Sequence, residues 1–138
     1  MARPLLLDTC AAIWIASGDE ISKPAMSALN LAHADGTPIY VSPITAWEIG
    51  MLTSRGRINL LMPPDLWFAR LLQAPGVRVA EMPPELLIAA SFLPGIAPRD
   101  PADRIIAATA RQYGQVLMTR DRPLLDYAGH GHVSALAC

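Results

Sequence analysis

A chain of 138 residues and 14.8 kDa is the size of one domain, long enough to bury roughly 70% of the surface its unfolded form exposes. Hydrophobic residues make up 52% and charged residues 17%, with a mean hydropathy of +0.30, which excludes a disordered chain and long acidic or basic tails. Eleven Lys and Arg stand against 12 Asp and Glu, a formal charge of −1, so the bulk charge points to neither nucleic acid nor an anionic membrane.

In chain order the apolar pattern predicts a strand over 4–7, a brief helix over 11–16, a helix over 22–34 and a strand over 38–41. Helices over 43–54 and 65–73 follow, then a strand over 77–80, helices over 84–92 and 102–113, and strands over 116–119 and 133–137. Strands that are apolar throughout belong to a parallel sheet covered on both faces, so the fold class is α/β with a sheet between helix layers. Proline and glycine mark the joints, with no repeat or linker, and the chain reads as a single domain over 1–138. Trp14, Trp47, Trp67, Phe68, Met51 and Met62 fall in helical patterns and are read mostly as core.

The longest stretch free of Asp, Glu, Lys and Arg is 86–98, thirteen residues with two prolines, whereas a bilayer-spanning helix needs roughly 20. Arg3 and the apolar residues after it imitate a secretory leader, but Asp8 interrupts the run. The reading is a cytoplasmic protein with no membrane partner. Cys10 and Cys138 form neither a disulfide framework nor a zinc spacing and are read as reduced and incidental.

The acids carry the chemistry. Asp8 directly follows Leu5-Leu6-Leu7, at the strand end where open α/β sheets place ligands, although a helix cap explains it equally well. Glu48 falls within an apolar stripe of Ile44, Trp47, Met51 and Leu52 on a helix opened by Ser42 and Pro43; a solvent-facing Glu requires a different buried face. Asp100, Pro101 and Asp103 form a helix start, and Asp121 comes two residues beyond the strand 116–119, where a turn or cap is the plain explanation. In a parallel sheet, however, strand ends and the following helix starts share one edge, so Asp8, Asp103 and Asp121 can converge there. Like charges about 4 Å apart repel by roughly 4 kcal/mol at an effective dielectric of 20, so such a cluster needs a cation. An all-oxygen ligand set suits Mg²⁺ or Mn²⁺ rather than zinc.

The segments LLLDT (5–9), SPITAWEIG (42–50), RDPADRIIAATA (99–110) and LMTRD (117–121), in this order and spacing, resemble the PIN-domain nucleases, and among them the VapC-type toxins of bacterial toxin–antitoxin modules. The resemblance implies a three-layer α/β/α fold with a central, mainly parallel five-stranded sheet. It implies a metal-dependent endoribonuclease that inhibits translation, with Asp8, Glu48, Asp103 and Asp121 as catalytic and metal-binding residues and one or two Mg²⁺ or Mn²⁺ ions. Asp100 and Thr119 would support the site. The implied partners are an RNA substrate, a VapB-type antitoxin and a second copy of the chain, in a homodimer and a toxin–antitoxin hetero-oligomer. The chain departs from the family at Leu52, where Lys is frequent, and at Ala97, Pro98 and Ala102, where His and aromatic residues are frequent.

Several arginines flank these segments. Arg99, Arg120 and Arg122 are read as substrate-binding, because the guanidinium fork suits phosphate, and Arg104 as a supporting residue that partners an adjacent carboxylate. Setting the four acids aside leaves eight acids against 11 basic residues, a formal +3. The phosphate loop GxxxxGK[ST] and the fingerprint GxGxxG are absent, and His130 and His132, in a glycine-rich turn, are read as solvated. Two alternatives remain: a PIN-like binding module whose acids are only caps, and a housekeeping nuclease of RNA maturation.

Overall fold

The computed structural model describes residues 3–138. Among them the chain runs β1 (Leu5–Leu7), α1 (Thr9–Ala16), α2 (Lys23–Asp35), β2 (Ile39–Val41), α3 (Pro43–Ser54), α4 (Pro64–Leu72), β3 (Val77–Val79), α5 (Pro84–Ser91), α6 (Pro101–Tyr113), β4 (Val116–Thr119), α7 (Arg122–Gly129) and β5 (Ser134–Ala137). Prolines explain much of this punctuation. Pro24, Pro43, Pro64, Pro84, Pro101 and Pro123 each occupy the first turn of a helix, where the missing N–H has no intrahelical partner to lose. Gly114 closes α6 at φ +63°, a left-handed turn that glycine adopts without strain, and passes the chain into β4.

The strands form one sheet in the order β3-β2-β1-β4-β5, and every pairing is parallel. The predicted α/β class and five strands are therefore present. Alternate side chains feed two cores. Leu5, Leu7, Val41 and Met118 pack with Ala11, Ala12, Ala25, Ile49 and Trp67 of α1 to α4. On the opposite face Leu6 and Leu117 pack with Ile106, Ala107, Leu124 and Tyr127 of α6 and α7. The strands at the centre thus bury both faces, which is why they read as unbroken apolar runs.

Three expectations change. β3 is an edge strand whose Arg78 and Val79 are exposed, so it is not covered on both faces. Helix α7 is absent from the predicted elements, which pass from the strand over 116–119 to that over 133–137; Leu124 and Tyr127 bury one side of a short helix there, opened by Asp121 as its cap. Trp47 is 59% exposed rather than core, whereas Trp67 is buried and Trp14, Phe68, Met51 and Met62 are half-buried. Among the described residues no helix is long and apolar enough to cross a membrane.

Leu117 is fully buried in the strand that carries the chain towards Asp121. Leu117→Ala leaves a cavity there and lowers unfolding free energy by about 2–5 kcal/mol, measurable by urea denaturation.

Candidate active site

Parallel pairing of β1 with β4 sets the carboxyl ends of these two central strands side by side, and the Asp8 N–H donates to the Met118 carbonyl at 3.1 Å across that junction. Asp8 is only 5% exposed. Its Oδ1 accepts from the Ala11 N–H at 2.7 Å, capping α1, and its Oδ2 accepts from the Thr119 hydroxyl. Thr119 Oγ1 in turn accepts from the Asp121 N–H at 2.9 Å, so one buried hydroxyl ties Asp8 to the backbone of Asp121. Asp121 caps α7 through Leu124 N–H at 3.1 Å, and Asp100 caps α6 through Ala102 N–H at 2.8 Å and Asp103 N–H at 3.3 Å. Asp103, in the first turn of α6, is half-buried, and no described residue donates a hydrogen bond to its carboxylate.

Glu48 is half-buried on α3, although not on the stripe the sequence indicated. The buried face of α3 is Thr45 and Ile49, with Trp47 turned outward, and Glu48 lies beside that face. Its Oε1 accepts from the Thr9 hydroxyl, and Thr9 Oγ1 stands 3.1 Å from Thr45 Oγ1. The sequence singled out neither threonine for this role. Thr45 left one trace, a hydroxyl three residues before Glu48 on the same helical face.

The acids act on one another. Burial first, then the charges of Asp121, Asp100, Glu48 and Asp8, push the Asp103 carboxyl up to about 7. Burial also raises Glu48, against the Thr9 hydrogen bond and together with Asp100 and Asp8. Asp8 is raised by burial despite the donors Thr119 and Ala11, with Asp121 adding to the rise. The Cys10 thiol, on the first turn of α1, is driven up to about 11 by burial and then by Asp8, Glu48, Asp103 and Asp121, so it stays protonated. The four acids therefore share one electrostatic neighbourhood. Among the described residues no three His, Cys, Asp or Glu side chains already stand around one point as a metal cage. The donor set is nonetheless all carboxylate and hydroxyl oxygen, which fits a hard divalent cation and no soft one.

Arg104 does not partner a carboxylate. Its Nε donates to Ala90 O at 2.9 Å, Nη1 to Pro98 O at 3.0 Å and Nη2 to Ser91 O at 3.2 Å, which braces the end of α5 and the loop before Asp100 against α6. Arg120 stacks on the Trp14 ring, 3.9 Å from its centroid, and donates to Glu20 O at 2.8 Å, so it fastens α1 to the end of β4. Arg99 and Arg122 are exposed. His130 is exposed as read, but His132 is half-buried and stacks on Tyr127 with ring centroids 4.8 Å apart. Cys10 and Cys138 are both free.

Residues 5–129 match the PIN domain family. The chain is 37% identical over 121 residues to Ribonuclease VapC22 of Mycobacterium tuberculosis (strain ATCC 25618 / H37Rv), an alignment covering 87% of this chain and 88% of that protein. Among solved structures it resembles VapBC2 from Rickettsia felis bound to a DNA fragment from their promoter, with a TM-score of 0.65, 13% identity, and 97% and 98% of the two chains covered. It also resembles FitAcB from Neisseria gonorrhoeae, with a TM-score of 0.57, 22% identity and 96% of each chain covered. At these identities the two structures speak to the fold, and they share the α/β architecture described above.

A carboxyl raised in the folded state binds its proton more tightly there than in the unfolded chain, so stability falls as pH rises between the two values. For Asp103 that window runs from its ordinary 3.8 to about 7. In EDTA the protein is expected to lose melting temperature between pH 5 and pH 7.5, and Asp103→Asn to flatten that decline. Parallel melting curves of the two proteins across this range check it.

Proposed function

The chain belongs to the PIN-domain family, and on that premise we propose that it is a metal-dependent endoribonuclease, the toxin of a type II toxin–antitoxin pair, built as one nuclease domain over residues 1–138. The observation that carries the reading is the gathering of Asp8, Glu48, Asp103 and Asp121 at one sheet edge, where each raises the proton affinity of Asp103 or is itself raised. The 37% identity to a protein named as a ribonuclease supports the same chemistry.

Asp8, Glu48, Asp103 and Asp121 would hold Mg²⁺ or Mn²⁺, one or two ions, which when bound supplies an activated water and neutralises charge on the phosphate. The chain's own groups prepare that step. Thr119 fixes Asp8 and the backbone of Asp121 together, and Thr9 fixes one oxygen of Glu48, so the carboxylates are oriented by neutral donors that leave their charge intact. Asp100 holds the first turn of α6 in place under Asp103. Exposed Arg99 and Arg122 flank the cluster and are assigned to the RNA phosphates. Arg104 and Arg120 are assigned to bracing, since their guanidinium groups are committed to backbone carbonyls and to Trp14.

The 37% identity to a protein named VapC22, together with the fold shared with VapBC2, supports an antitoxin partner of VapB type, and the exposed Trp47, Leu61, Phe92 and Ile96 supply apolar surface for it and for a homodimer. Asp8→Asn or Asp121→Asn is expected to abolish the Mg²⁺- or Mn²⁺-dependent RNA cleavage that the wild-type chain performs, and EDTA to abolish it in the wild type. Free Mn²⁺ at about 100 times its Kd should stabilise the wild type by about 2.7 kcal/mol and the Asp8→Asn variant by far less. Undiminished cleavage in EDTA, read on gels of labelled RNA, would refute the proposal.

A further inference from the structure

Glu48 differs from the other acids in how it is held. Asp8, Asp100 and Asp121 sit at helix starts, where backbone N–H groups orient them. Glu48 lies in mid-helix, where every nearby backbone N–H is already used within α3, and its long side chain has more rotamers to lose. Its orientation rests on the Thr9 hydroxyl. An ionised carboxylate only accepts, so Thr9 must donate its single proton to Glu48. Thr9 Oγ1 can then only accept from Thr45, 3.1 Å away, and the Thr45 proton is fixed in that direction too. The two hydroxyls form a one-way chain, Thr45 to Thr9 to Glu48, in which each bond polarises the next. Thr9 is 5% exposed and Thr45 fully buried, so water does not compete for either group.

We infer that Thr45 and Thr9 are positioning residues for Glu48, a buried hydroxyl relay that links the first turn of α1 to α3 and aims the carboxylate at the edge where Asp8 emerges. The inference rests on the function proposed above for its purpose, and on the hydrogen bonds alone for its existence. Thr45 makes no hydrogen bond to the acid, so an effect of its hydroxyl on cation binding is expected to pass through Thr9.

The test measures Mn²⁺ affinity by the electron paramagnetic resonance of free Mn²⁺, and melting temperature in EDTA. Thr45→Val keeps the shape and removes the donor. It is expected to raise the Mn²⁺ Kd about 3- to 10-fold, the equivalent of one net hydrogen bond, and Thr45→Ser to restore it to within about twofold. In EDTA, the drop in melting temperature caused by Thr45→Val should shrink by half or more in a Glu48→Ala background. An unchanged Mn²⁺ Kd in Thr45→Val, or an equal melting cost in both backgrounds, overturns the relay and leaves Thr45 as packing. Should Thr45→Val fail to fold, Thr9→Val against Thr9→Ser replaces it, with a loss of about tenfold or more expected for valine and near-recovery for serine; equal affinities overturn the inference. A wild-type protein that takes up no Mn²⁺ defeats the proposed function, and the melting cycle then decides the relay by itself.

Discussion

Four carboxyls that act on one another, with no cationic side chain of the described residues bonded to any of them, are the constraint on which the rest of the molecule depends. An arginine placed between Asp8 and Asp103 would relieve their repulsion and also fill the place proposed above for a cation. The fold orients the acids with donors that carry no charge instead: Thr119 and the Ala11 N–H on Asp8, Thr9 on Glu48, the Leu124 N–H on Asp121. The repulsion is therefore kept, and at Asp103 it adds to burial, the larger cause, in raising the proton affinity. Holding it costs stability, which the doubly covered centre of the sheet offsets.

The same constraint explains what the nearby arginines do. Arg104 follows Asp103 directly, yet its guanidinium reaches three carbonyls at the end of α5 and before Asp100. Arg120 precedes Asp121, yet it lies on Trp14 and the Glu20 carbonyl. In both cases a cation next to an acid in sequence is drawn to backbone and aromatic acceptors, and it braces the segment that carries the acid without neutralising it. A charge-assisted bond to a carbonyl is strong, so these braces are rigid ones.

Much of the fold was legible because two signals agreed: unbroken apolar runs for the central strands, and prolines for the helix starts. Both failed where the physics was mixed. β3 lies at the edge and tolerates Arg78, so its pattern said little about burial, and α7 begins on a cap and proline that also serve turns. The acids were legible as a set because parallel topology gathers strand ends. Glu48 was placed beside a buried face for a reason that was only partly right, since Thr45 and Ile49 rather than Trp47 define that face. Thr45 left only its spacing from Glu48: a threonine on a helix gives no sign of a partner on another element until α1 is folded against α3.

Capping and the gathering of charge, posed as rivals by the sequence, are parts of one arrangement. Asp8 uses Oδ1 to cap α1 and Oδ2 to receive Thr119, and Asp121 uses Oδ2 to cap α7, so in both residues the cap fixes the rotamer. A carboxylate oxygen carries more than one lone pair, so a capped oxygen is not closed to a cation. Asparagine caps a helix about as well as aspartate, so the cap alone does not account for aspartate at either place. What aspartate adds is an ionisable carboxyl at a buried or half-buried position in the electrostatic neighbourhood of the other acids. Charge is the one property of these residues that the helix starts do not require, and it is the property the cluster has in common.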